Sequence, residues 1–158
     1  MMILKLNSFL KYTCILFVFL FGFFSIGGAE SEEIKSEEIK LIIIVSSDVK
    51  IKEIDIATLN KIYRGRKTLW KNSNKISAYY VKSGTVTGDA FFKLLGVTYS
   101  KFNRYWRKKL FSSAGTPPSS RSNGQSVIDV VSKNESSIGV IPASLKDKIK
   151  SCKIIKIK

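Results

Sequence analysis

Short runs of β-branched and aromatic residues alternate with stretches where apolar residues return every three or four positions. Residues 41–45 (LIIIV) form an unbroken apolar run, as expected of a strand buried on both faces. Residues 76–81 (ISAYYV), 137–141 (SIGVI) and 152–157 (CKIIKI) predict three more strands, the second of these stopped by Pro142. Asp55 is suited to cap a helix that presents Leu59, Ile62 and Tyr63 on one side, and Gly65 ends it. Residues 87–95 predict a helix with Phe91, Leu94 and Leu95 inward, closed by Gly96. Residues 100–111 predict another, with Phe102, Tyr105, Trp106 and Leu110 on one stripe and Lys101, Arg104, Arg107 and Lys108 on the other. Residues 112–122 (SSAGTPPSSRS) read as an irregular loop. Ser122 to Gln125 (SNGQ) reads as a capping box, opening a helix that buries Val127, Val130 and Val131. Residues 146–149 predict a helical turn. Strands alternating with helices define an α/β domain over residues 41–158, its sheet flanked by helices.

The first 40 residues have a different pattern. Lys5 and Lys11 precede a 13-residue apolar run at 14–26, and Gly27-Gly28-Ala29 follows it. This is the layout of a secretory signal peptide cut near Ala29, giving a periplasmic or secreted protein; an uncleaved run would anchor the chain in a membrane. Residues 30–40 (ESEEIKSEEIK) are a twofold acidic repeat and predict a solvated spacer. The chain has 27 Lys and Arg against 12 Asp and Glu. From Leu41 onward the balance is 23 basic to 7 acidic residues, a net charge of +16, so the basic excess belongs to the folded body.

That charge favours anionic partners, and the side-chain inventory narrows the chemistry. There is no His and there are only two Cys, Cys14 and Cys152. Imidazole bases, His metal ligands and four-Cys zinc sites are excluded, and the acids of the body form no close pair in sequence. Neither a catalytic centre nor a cofactor is implied, and Cys152 reads as an inert thiol. The segment Lys82-Ser83-Gly84-Thr85-Val86-Thr87 follows a strand and opens a helix. Free N–H groups at a helix start and adjacent hydroxyls suit an anion; the same residues also suit plain capping. The loop at 115–125, with Arg121, offers a second such contact. Ligands of open α/β sheets bind outside the carboxyl ends of strands. Ser46, Ser47, Lys82 to Thr87 and Gly139 are therefore expected along one edge. The basic-aromatic block at 64–71, with Trp70, and the segment 101–109, with Trp106, suit an anionic surface or simple packing. Nucleic acid is not an expected partner of an exported chain, and no pattern indicates an oligomeric state.

Several blocks resemble the phosphate-type substrate-binding proteins of ABC transporters. Residues 59–70 (LNKIYRGRKTLW) look like that family's L-x-x-I-F-x-G-K-x-x-x-W block, and residues 136–142 (SSIGVIP) are similar to its G-A-I-G-Y-V strand. The strand-loop-helix at 76–95 resembles its phosphate loop. Tyr105-Trp106 and Gly115-Thr-Pro-Pro118 resemble its short members. The resemblance spans about residues 41–143. It implies a single periplasmic-binding-protein-like lobe with a mixed or mostly parallel sheet. It also implies binding of a small oxyanion such as phosphate, with an ABC transporter as a possible partner. The family loop reads R-S-D-G-S-G-T. Here Val81 and Ser83 stand at its Arg and Asp places, while Gly84, Thr85 and Thr87 keep Gly and hydroxyls and Lys82 supplies charge. The alternative expectation is an envelope-associated module that keeps the fold and binds proteins or anionic surfaces without a solute.

Overall fold

The computed structural model describes residues 39–113 and 115–158. The expected signal peptide and nearly all of the acidic spacer lie outside the described residues. Six strands form one mixed sheet: β1 (Leu41–Ser46), β2 (Glu53–Ile54), β3 (Ser77–Val81), β4 (Ser119–Arg121), β5 (Ser137–Pro142) and β6 (Cys152–Ile157). Their order is β2-β6-β1-β5-β3-β4. β1 runs antiparallel to both neighbours, with Ile44 opposite Gly139 on one side and Ile154 on the other. β5, β3 and β4 run parallel, and β2 runs parallel to β6.

The unbroken apolar run of β1 is explained by its place inside the sheet. Ile43 and Val45 enter a large core on one face, and Ile44 enters a smaller core on the other. The larger core lies beneath helices α1 (Ile56–Tyr63), α2 (Val86–Leu94) and α3 (Tyr99–Phe111). Its centre is aromatic: Tyr63 packs edge-on to Phe91 and Tyr80, and Tyr80 meets Phe91, Phe92 and Phe102. The smaller core lies beneath α4 (Gly124–Lys133), whose Val127, Ile128 and Val131 are buried. Gly139 lies mid-strand under α4, where an added Cβ would stand 2.5 Å from Val127 Cγ1.

α1 begins as predicted, with the Asp55 carboxylate accepting the Thr58 N–H at 2.7 Å. Its carboxyl end is closed by α3. Trp106 Nε1 donates to the Tyr63 carbonyl, Tyr105 Oη to that of Arg64 and Lys109 Nζ to that of Gly65, at 2.8–3.0 Å. These bonds satisfy carbonyls that a helix end leaves open. Gly65 adopts φ 61°, and an added Cβ would strike Trp106 at 2.6 Å. Trp70 Nε1 donates to the Ser136 carbonyl at 2.9 Å, so both tryptophans serve packing.

Four expectations are corrected. Residues 119–121 are strand and not loop, because the exposed edge of β3 gives this Ser-rich segment a partner, Tyr79 against Ser119. The cap of α4 is Asn123 and not Ser122: Asn123 Oδ1 accepts the Ser126 N–H at 2.9 Å, and Ser122 Oγ meets Ser126 Oγ. Leu110 is exposed, because the stripe of α3 that packs inward runs through Phe102, Trp106 and Lys109. The turn predicted at 146–149 is a 3-10 helix over Ala143–Lys148.

Candidate functional site

The carboxyl ends of the parallel strands β5, β3 and β4 lie together, ending at Pro142, Val81 and Arg121. The loops that leave β3 and β4 open α2 and α4 there, and the Lys82 N–H ties them by donating to the Arg121 carbonyl at 2.9 Å. Two helix N-termini thus meet on one sheet edge, and helix N-termini favour negative charge.

Within the first loop, donors are partly engaged. Thr85 caps α2: its Oγ1 accepts the Gly88 N–H at 3.0 Å and donates to the Lys82 carbonyl at 2.8 Å. Gly84, at φ 80°, directs its N–H onto Asp89 Oδ1 at 3.1 Å. The loop therefore carries its own carboxylate in its first helical turn. Ser83 and Thr87 are half-buried, and Lys82 extends into solvent. An added Cβ on Gly88 would overlap the Lys82 carbonyl oxygen, so α2 rests directly on the loop backbone.

Ser46 and Ser47 do not join this edge. β1 is antiparallel to β5, and β5 is parallel to β3, so the end of β1 meets the start of β3. Ser46 is buried there and its Oγ accepts the Ser137 N–H at 3.0 Å; Ser47 is exposed. Beside it, Asp48 accepts from Ser136 N and Oγ at 2.9 and 3.0 Å. Burial works to raise the Asp48 pKa, and bonds from Ser46 and Ser136 outweigh it and hold the carboxyl below its ordinary value. Gly139, also expected on the edge, is mid-strand.

Two features of the region were not evident as a pair. Asp89 lies five residues after the glycine it binds, a spacing that the sequence shows only once the helix start is known. Arg121 turns away from the edge: its guanidinium lies 5.2 Å from the Tyr79 ring, and its buried Nε has no hydrogen-bond partner among the described residues. It lines a cleft of ≈ 490 Å³ between β4 and α4 with Ser120, Ser122, Ser126 and Lys133. Asp129 supplies the one carboxylate of that lining. Cys152 is half-buried and burial raises its pKa, the reverse of an activated thiolate. No group of three or more His, Cys, Asp or Glu that could hold a metal occurs among the described residues.

In open α/β sheets the carboxyl ends of the parallel strands, beside helix N-termini, are where ligands bind. Solved structures match the fold of this lobe. The chain is similar to a protein from Clostridium perfringens described as a phosphate ABC transporter substrate-binding protein, solved with bound phosphate (TM-score 0.60, 20% identity, 75% of this chain and 45% of that one). It is similar to an ABC-type phosphate transport receptor from Vibrio cholerae (TM-score 0.58, 20% identity, 75% and 46%). It is also similar to PstS from Borrelia burgdorferi (TM-score 0.54, 21% identity, 76% and 47%). The chain has the fold of a periplasmic-binding-protein-like lobe and spans less than half the length of these three proteins. No family model matches it, and no curated protein does.

Proposed function

We propose that the protein is an exported, non-catalytic binder of a small oxyanion such as phosphate, working with the membrane components of an ABC transporter. The observation that carries this reading is the meeting of the α2 and α4 N-termini on one edge, beside Lys82. Lys82, Ser83, Gly84, Thr85 and Thr87 are the proposed contacts. Ser46 and Ser47 lie at the opposite end of the sheet and drop out of the set. The anion competes with Asp89 for the Gly84 N–H, and one lobe leaves the site open to water, so binding is weak.

Calorimetric titration with phosphate at neutral pH tests this. The wild type should bind with a dissociation constant on the order of 1 mM. Lys82→Gln should weaken binding about two- to fivefold, the scale of an exposed charge contact. Asp89→Asn should tighten it by about two- to fivefold while costing α2 about 0.3–1 kcal/mol of stability. Absence of heat for both the wild type and Asp89→Asn overturns the reading.

A further inference from the structure

The outer face of α3 is built for a different anionic partner. Arg104, Arg107, Lys108 and Phe111 stand at i, i+3, i+4 and i+7, so they share one stripe of the helix, opposite the stripe that buries Phe102 and Trp106. Phe111 is 92% exposed and Leu110 is 52% exposed, side by side at the carboxyl end of the helix. The helix holds no acid. From Ile56 to Ile128 the only acidic residue is Asp89, which is already bonded to Gly84, against 14 Lys and Arg. Lys109 anchors this end of α3 to the Gly65 carbonyl, next to exposed Arg66. A fully exposed phenylalanine gains nothing from water, and neither it nor Leu110 lines the cleft between β4 and α4. It projects from a basic helix surface. A deformable bilayer accepts such a protruding aromatic, whereas a protein partner would need a matching pocket.

We propose that this face docks on an anionic phospholipid bilayer. Arg104, Arg107 and Lys108 meet the headgroup phosphates, and Phe111 and Leu110 enter the acyl boundary beneath them. Docking uses none of the residues assigned to the oxyanion and stands independently of that reading. Each cation near an anionic membrane contributes roughly fivefold to partitioning, and salt screens that contribution.

The test is co-sedimentation of the full chain with phosphatidylcholine vesicles, with and without phosphatidylglycerol. The neutral vesicles give the contribution of residues 14–26, which is subtracted. Wild type should bind the anionic vesicles at least about tenfold better and lose that excess at high salt. Phe111→Ser with Leu110→Ser should remove most of the excess, and because both side chains are exposed the fold should survive. The indole introduced by Phe111→Trp should shift its emission to the blue on anionic vesicles only. The proposal is overturned if wild type does not distinguish the two vesicles, or if the Ser double variant binds like wild type. It is also overturned if the emission of the Phe111→Trp variant stays unchanged, or if the chain is retained on a soluble polyanion and ignores vesicles.

Discussion

Asp48 shows how one carboxylate organises a strand end. It receives the Ser136 N–H and hydroxyl, and Ser136 itself sits at φ 55°, a backbone region that a serine enters only when held. Asp48→Ala should therefore cost about 1–3 kcal/mol in urea unfolding at pH 7. The folded-state pKa is depressed, so this stabilisation is complete above the unfolded value and is lost as pH falls through the folded one. The gap between wild type and variant should narrow in unfolding curves recorded at pH values progressively below the ordinary carboxylate range. A gap that persists there would mean that Asp48 acts by shape and not by charge. The sequence shows an acid after a strand at this position. It does not show the partner, which arrives from 88 residues away.

At the scale of elements, local chemistry carried most of the fold. β1 and β6, α1 with its Asp55 cap, and the aromatic faces of α2 and α3 follow from runs and periods that each element contains within itself. β2 and β4 do not, because two- and three-residue strands exist only through the edge that receives them. The loop at 82–87 was legible as a strand-to-helix turn, and Thr85 is indeed its cap. What the spacing could not reveal is how tightly α2 seats on it. Gly88 is the contact point, and Gly88→Ala must push the helix off the Lys82 carbonyl. The expected loss is at least about 2 kcal/mol, measured by chemical denaturation, although alanine favours helix over glycine. Stabilisation by the substitution would show that the helix start is free to move.

At the scale of the molecule, the charge was legible from composition and its distribution from the order of residues. The strand directions were not. Nothing local to β1 says that it runs against β5, and that single fact separates Ser46 from Lys82. A body with 23 basic and 7 acidic residues repels itself. Raising sodium chloride from about 10 mM, where charges interact over some 30 Å, to several hundred millimolar should lift the melting temperature by about 3–5 °C. A melting point indifferent to salt would show that self-repulsion of the body does not limit its stability.

β1 lies between β5 and β6, bonded to both, and is the first strand of the sheet to be synthesised. Its two partners are the last. A ribosome therefore releases nearly the whole domain before the central strand can be enclosed. Until then Leu41 to Val45 stays an unpaired apolar segment, open to whatever chaperone meets it first. Closure of this sheet therefore waits on the end of the domain, and the order of the strands alone sets that delay in folding.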